Sequence, residues 1–563
     1  MTKEITLTRK TFIQAAGAFV ALQARGGAST APLWKAGIVT DTHVHRTCGS
    51  CRLVKAACDL FAAHDVDIFV NCGDIADHYY PEAYPILKEI TDGAFPRKPP
   101  RKIWIYANHD HIDRKDEPWR VVMADVKRLL GATNEFFDVS DFKGYPLVSL
   151  PQWYTSNAQD YARVEKMLAD VCAKYPTGPV FVFDHVPPLD TTDNSVTWGD
   201  AKRRALYSKF PRVVDICGHA HGSLRSELNI WQGAFTAVNM GCLQVWGGHA
   251  VGAAPASKRN YGAVVMEVYP DRLVFRRFDV RTRAEYGAAE PWTVPLPFDP
   301  AAAPYRRERT AATEPVPAFP AGASLALVPD APFGALTLAF PRAEGAHGTY
   351  IYKVEVTSPE GASLARCDLF GQFYLPESAR EPRVERRLSA GYLEPGRRYR
   401  VRVTPCNCFG KGGRPLEAEF TAPSARTGEA LYASADPMSD CGFWSGLSGG
   451  KKIAAKDGWY AIGGGNYRLE FPAGAWGTAK GRFRFTVDLE TEQVGPRTWT
   501  LVLRHPEPLM NANARIATPR GASGPARYVI EFMRHSPAHN FYLLVREGGP
   551  GRIRFKSVRI ERV

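Results

Sequence analysis

Five short apolar runs in the first half of the chain end in side chains that can hold a metal. They supply Asp41 and His43 in VTDTHVH, Asp74 and Asp77 in NCGDIAD, Asn108, His109 and Asp110 in ANHDH, His185 in FVFDHVP, and His219 with His221 in CGHAHG. Runs this short, rich in β-branched and aromatic residues, read as buried strands. In an open α/β sheet, ligands gather beyond the carboxyl ends of the strands. The alternation in D-x-H and H-x-H lets both side chains leave the strand on one face. Taken singly, Asp41 could cap a turn, Asn108 could hold a left-handed conformation, and each histidine could be a satisfied structural one. Five such blocks, each directly after an apolar run, instead require a fold that brings five strand ends to one place.

The surrounding pattern fits that requirement. From residue 33 to about 299, apolar runs (KAGIVT, DIFVNCG, KIWIYAN, PLVSLP, PVFVFDH, VVDICGH, FTAVNM and GAVVMEVY) alternate with helical stretches at 52–63, 84–91, 119–130 and 161–174, as in a layered α/β domain. A chain of 563 residues and 62.2 kDa is too long for one core. The Pro- and Ala-rich stretch at about 292–320 reads as a linker. Beyond it the alternation is of period two, which predicts two all-β sandwich domains at 321–425 and 426–563. No period of 20 to 50 residues marks a repeat array.

The first of these units, over residues 38–269, resembles the calcineurin-like metallophosphoesterase family. The family's ordered blocks D-x-H, G-D-x-x-D, G-N-H-D/E, a lone His and G-H-x-H all occur here in order. The resemblance implies an α/β/β/α fold at 33–300, a β-sandwich core flanked by helices. It implies two divalent or trivalent metal ions (Mn, Fe or Zn), one held by Asp41, His43 and His221 and the second by Asn108, His185 and His219, with Asp74 bridging them. A hydroxide bridging the two ions would attack a phosphomonoester or phosphodiester. His109 would act as general acid, Asp110 would orient it and hold it protonated, and Asp77 would orient a metal ligand from behind. Ala107 stands where the family usually has glycine, which affects backbone room and removes no ligand. His45, Arg46, His78 and His111 flank the blocks and could pair with phosphate oxygens, and Trp153 and Tyr154 could stack on a base or sugar. Solvated loop positions are the plainer reading of each.

In the second unit, YLEPGRRYRVRVTPCNCFGKGGRPLEAEFTA resembles the late strands of a fibronectin type III domain, with Tyr399 packing at the sandwich corner. The ending IRFKSVRIERV resembles the last strand of carbohydrate-binding and galactose-binding-like jelly rolls. That implies a glycan or cell-surface partner for the C-terminal modules. Residues 1–32 have a basic start, a short apolar stretch and then small residues, the layout of an export signal too short to span a bilayer. TRKTFIQ resembles a twin-arginine signal, with Lys10 where the second arginine is expected. An attached amphipathic helix is the alternative. Export to the periplasm, the cell surface or the exterior follows from the first reading, and no transmembrane span is expected.

A net charge of +13 and a pI of about 9.1 come without a basic run or basic helix. Diffuse charge of this kind does not predict specific nucleic-acid binding. Eleven cysteines, an odd number, exclude a complete internal disulfide framework. Cys48 and Cys51 form one CxxC with no second to complete a zinc site, and Cys72 and Cys217 read as small buried hydrophobes. The competing functional class is a surface-binding or adhesion protein with a secondary or silent phosphoesterase domain. The intact ligand set favours the enzyme.

Overall fold

A computed structural model describes residues 31–45, 51–243, 261–286 and 291–330 and, with short breaks, 335–563. The proposed export signal and Arg46 and Cys48 lie outside the described residues. In the first domain the described elements are β1 (Trp34–Val39), α1 (Cys51–Ala63), β2 (Ile68–Asn71), α2 (Ala83–Gly93), β3 (Arg101–Trp104), α3 (Trp119–Leu130), β4 (Asp138–Phe142), β5 (Tyr145–Ser149), α4 (Ala158–Lys174), β6 (Val180–Phe183), α5 (Ser195–Trp198), α6 (Ala201–Tyr207), β7 (Val213–Cys217), β8 (Ile230–Gln232), β9 (Thr236–Asn239), β10 (Gly262–Val268), β11 (Arg272–Asp279), β12 (Ala284–Tyr286) and β13 (Trp292–Pro295).

Two sheets form the centre. One runs β12-β11-β10-β1-β2-β3, with β13 also on β11, and the other runs β4-β5-β6-β7-β9-β8. Strands β1, β2 and β3 are parallel, as are β5, β6, β7 and β9. Parallel strands buried on both faces need continuous apolar runs, and IFVN, VFVF and VVDIC are buried at every position. Trp34 joins the sheets: from β1 its ring meets Phe142, Tyr145 and Phe181 of the second sheet edge-on, at 5.6, 5.9 and 5.3 Å. Helices α1, α2 and α3 pack in sequence on each other. Local chemistry sets their ends. Asn157 accepts from the Asp160 N–H at the start of α4, and Gly131 takes the left-handed turn (φ 62) that closes α3.

The second domain has a three-stranded sheet of β14 (Ala326–Asp330), β15 (Ala335–Pro341) and β18 (Arg383–Ser389). Against it lies a four-stranded sheet of β16 (Ile351–Thr357), β17 (Ser363–Phe370), β19 (Arg398–Cys406) and β20 (Leu416–Thr421), in the orders β14-β15-β18 and β17-β16-β19-β20. Tyr399, near the start of β19, is buried with its ring 6.0 Å from Phe420. In the third domain two five-stranded sheets, among them the long strands Gly481–Gln493, Ser523–Arg534 and Gly551–Arg562, enclose a core that includes Phe443, Trp476, Phe485 and Trp499.

The stretch expected as a linker is folded. It contains α7 (Arg307–Thr313), and Gln232 of β8 exchanges hydrogen bonds with Tyr305 through its N–H (3.0 Å) and its side-chain oxygen (3.2 Å). Among the described residues, no helix is long and apolar enough to cross a membrane.

Candidate metal centre

The carboxyl ends of β1, β2, β3, β6 and β7 meet where the two sheets adjoin, and they deliver two triads. Asp41 Oδ1 lies 2.9 Å from His221 Nε2, and His43 Nε2 lies 3.3 Å from the same nitrogen. Asp74 Oδ2 lies 3.2 Å from His185 Nε2, which is 3.2 Å from His219 Nδ1. The triads adjoin: Asp74 Oδ2 is 3.9 Å from His43 Nε2, and Asp41 Oδ1 is 3.9 Å from His185 Nε2. Asp74 thus stands between the two groups. Asn108 Oδ1 is buried and has no hydrogen-bond partner among the described residues.

This donor set fits two cations. Imidazole nitrogens and carboxylate oxygens converge at 2.9 to 3.3 Å, the His109 N–H next to Asn108 donates to Asp74 Oδ1 at 2.9 Å, and the neutral Asn108 amide oxygen is buried with no donor to it among the described residues. The backbone carries the cost of this convergence. Asp41, His43, Asp74, His219 and His221 all have positive φ (51, 39, 48, 65 and 51°), a conformation that persists in non-glycine residues only where the surroundings over-determine it. Two glycines make room. A Cβ on Gly73 would come within 2.6 Å of His185 Nδ1, and one on Gly218 would stand 1.9 Å from Thr40 Oγ1 and 2.5 Å from Asp41 Oδ2. Ala107 is buried with no positive φ, and its methyl lies where a Gly73 side chain would collide.

The electrostatics keep the acids charged. Burial opposes charge on Asp41, but the imidazoles of His221 and His185 hold its carboxyl well below the usual range. Asp74 is also lowered: His185 and His43 outweigh its burial. Burial alone would depress His43 and His185, yet their carboxylate neighbours raise them to about 10 and about 9. Protons held on those nitrogens are what a cation would displace.

Orientation comes from a layer behind the triads. His185 Nδ1 is 2.7 Å from Cys72 O, which turns Nε2 toward Asp74. Asp77 serves two rings, with Oδ1 3.4 Å from both His43 Nδ1 and His109 Nδ1. His43, Asp77 and His109 also cluster tightly enough to suggest a third cation. We read them as an orienting group, since the Nε2 of His43 already belongs to the first triad.

His109 is partly exposed, with Nδ1 fixed 2.8 Å from Asp77 O and Nε2 4.0 Å from Asp74 Oδ2. Asp110, expected to orient it, faces the other way. Its carboxylate accepts from the N–H groups of Ile75 (3.3 Å), Ala76 (3.0 Å) and Ala107 (3.2 Å) and from Tyr84 OH (3.2 Å). The 3-10 turn His109–Arg114 rotates successive side chains apart, so His109 meets Asp77 while Asp110 ties the loops after β2 and β3 together. Burial pushes Asp110 up to about 7, aided by Asp74 and opposed by the backbone N–H groups.

The flanking candidates divide. His45 lies 3.7 Å from Asp77 Oδ2 at the rim. His78 is half open to solvent, bonded to Asp113 at 3.0 Å and stacked on Tyr80. His111 is drawn into an aromatic group with Tyr106 and Trp153, its Nε2 2.9 Å from Glu117 O. Trp153 stacks on Trp119. Tyr154 is fully buried and its OH donates to Tyr207 OH, so it offers no stacking face for a substrate.

The sequence pattern missed a buried network. Gln152 Oε1 accepts from Asn108 N at 2.7 Å, and Arg203 donates to Gln152 O and to Asp184 Oδ2 (2.6 Å). Asp184 Oδ1 in turn accepts from His185 N at 2.6 Å, and Tyr207 OH donates to its Oδ2 at 3.0 Å. Two expected ligands, Asn108 and His185, are therefore positioned through one buried arginine. Only the Asp-His pair of FVFDHVP hinted at this, since Gln152 and Arg203 lie far from the blocks in sequence.

Residues 35–223 match the family model described as calcineurin-like phosphoesterase. No curated protein matches the chain. Among solved structures, the chain is similar to a dimetal phosphatase from Danio rerio, at 13% identity and a TM-score of 0.34, covering 46% of this chain and 98% of that one. It is also similar to the FN1–FN3 domains of chicken CNTN1 (12% identity, TM-score 0.15, 54% of this chain and 81% of that one). A further similarity is to a segment of two fibronectin type III domains from chicken tenascin (10% identity, TM-score 0.13, 43% of this chain and 98% of that one).

Proposed function

We propose, for a chain that carries a calcineurin-like phosphoesterase domain at residues 35–223 and is thereby a metal-dependent hydrolase of phosphoester bonds, that it is an exported enzyme whose two cations are Mn, Fe or Zn. Asp41, His43 and His221 would hold one ion, Asn108, His185 and His219 the other, and Asp74 both. The observation that carries this reading is the pair of adjoining triads, with Asp74 of one 3.9 Å from His43 of the other, together with a buried Asn108 oxygen that has no hydrogen-bond partner among the described residues. Bound there, two such ions supply Lewis acidity to a phosphoryl group and lower the pKa of water.

The chain's own residues supply the rest. Asp74 and Asp41 provide the negative charge that retains cations in a buried site. His109 presents Nε2 at the open side of the site, and Asp77, through its carbonyl oxygen, fixes the ring at Nδ1. With Asp77 and Asp74 raising its pKa against the effect of burial, His109 is suited to give a proton to the leaving oxygen. His45 and His78, at the rim, are the candidates to meet substrate oxygens. The layout of residues 1–32 supports export, and the two β-domains would place the enzyme on a glycan or cell-surface partner.

A substrate panel on the full-length protein, loaded in turn with Mn, Fe and Zn, tests the reading. Turnover of a chromogenic phosphodiester or monoester that a chelator abolishes is expected. No turnover with any of these metals would contradict it and return the chain to the class of binding proteins.

A further inference from the structure

The segment after His185 folds back against the metal centre, and it is held from outside the family-matched region. Asn194, left-handed at φ 58, donates from Nδ2 to Ala220 O at 3.2 Å. Ala220 lies between His219 and His221, so its peptide joins one triad to the other. Asn239 Nδ2 donates to Gly218 O at 2.7 Å. Two side-chain amides thus fix the two carbonyls that flank His219, a residue with strained backbone. Trp198, at the end of the same segment, sets its ring edge-on to His219 at 5.7 Å.

The segment is knotted internally. Thr191 N–H donates to Ser195 Oγ (2.9 Å), Ser195 Oγ to Thr192 O (2.7 Å) and Thr191 Oγ1 to Pro188 O (2.6 Å). A unit bonded in this way shifts as one body. Two anchors from other parts of the chain hold it. Tyr350, immediately before β16, donates from its OH to the buried carboxylate of Asp193, at 3.3 and 3.4 Å from its two oxygens. Its ring lies 4.6 Å from Phe373, and its N–H donates to Cys406 O at 2.9 Å, so the second domain fixes its position. Arg307, the first residue of α7, donates to Thr191 O and places its guanidinium over Phe409 of the second domain at 5.7 Å.

We infer that the second β-domain is a working part of the metal centre: through Tyr350 and Arg307 it sets the 191–198 segment, whose Asn194 positions the peptide between the ligands His219 and His221. Asn194, Tyr350 and Arg307 are positioning residues that touch neither metal nor substrate. The inference rests on the proposed function for the identity of the ligands, and it gives the appended domain a role in that site.

The test is metal affinity of the full-length protein, measured by competition of Zn²⁺ or Mn²⁺ with a chromophoric chelator. Asn194→Ala is expected to weaken binding on the order of tenfold, the usual effect of losing a partner behind a ligand. Tyr350→Phe, which removes one hydroxyl and keeps the ring against Phe373, weakens it in the same direction, and Arg307→Met does so at the other anchor. The Asn194→Ala, Tyr350→Phe double variant loses no more than Asn194→Ala alone, because both act along one chain of contacts. Arg366→Ala, on an exposed strand of the same domain paired with Glu355, leaves affinity at the wild-type value. Wild-type affinity in both Tyr350→Phe and Arg307→Met, or additive losses in the double variant, would overturn the inference. A wild-type chain that binds no metal would instead sink the proposed function, so the two failures are distinct.

Discussion

At the scale of single residues, neighbours in sequence do different work. His109 is held by Asp77 and opens toward the site, whereas Asp110 is fully buried and bonded to three backbone N–H groups and Tyr84. His109→Ala should retain its metals, measured by elemental analysis, and lose about 10²- to 10⁴-fold in turnover, the usual worth of a positioned proton donor. Metal loss in that variant would contradict the assigned role. Asp110→Ala should instead destabilise the fold by about 3 kcal/mol or more in denaturant titrations, because it strands buried N–H groups. The convergence of the expected ligands was legible because their chemistry sits in adjacent letters, as in D-x-H and H-x-H. The direction of Asp110 was not, since a 3-10 turn begins at His109 and sends the next side chain inward. Gln152 and Arg203 were equally hidden, for they reach Asn108 and His185 from elements that carry no motif.

At the scale of elements, the strands were readable as apolar runs, and the eight named from sequence all form. The edge strands β4, β8 and β12 were not, because a strand with an open face or only three residues leaves little periodicity to read, and β11 and β13 went unnamed as well. The two sheets use one device twice. β2 is followed by, and β7 ends in, a Cys-Gly step that leads to an expected ligand, Cys72-Gly73-Asp74 and Cys217-Gly218-His219, with both cysteines buried and outside any disulfide. In the middle of β7, Asp215 is fully buried and neither oxygen has a hydrogen-bond partner among the described residues. Burial and the nearby Asp184 push its carboxyl well up. A carboxyl raised above its unfolded value favours the fold while protonated, and that stability is lost as pH climbs above the unfolded pKa. Asp215→Asn should therefore raise the stability at pH 8 by at least about 1 kcal/mol and flatten its fall between pH 4 and pH 8. Unfolding curves at several pH values check this, and an unchanged slope would contradict it.

At the scale of the whole molecule, the stretch that composition marked as a linker is a clasp. Alanine and proline content suggested slack chain, but α7 and its flanks carry Glu314, which bonds His347 of the second domain at 2.8 Å, and Asn407 donates to the carbonyls of Glu314 and Pro315. Such tertiary docking has no signature in local composition. Glu314 raises the pKa of His347 against the effect of burial. The pair's stabilisation is thus full below the unfolded imidazole pKa and lost as pH rises through the higher folded one. His347→Ala should cost under about 1 kcal/mol at pH 6, and nothing measurable at pH 9, in the unfolding of the intact chain. The central claim, that two adjoining triads with Asp74 between them form a two-cation phosphoesterase centre, is tested most directly by metal stoichiometry measured alongside turnover of a chromogenic phosphoester in wild type and Asp74→Asn. The account predicts two ions per chain and chelator-sensitive turnover in the wild type, with loss of both metal and turnover in Asp74→Asn. Full metal content and undiminished turnover in that variant would contradict it.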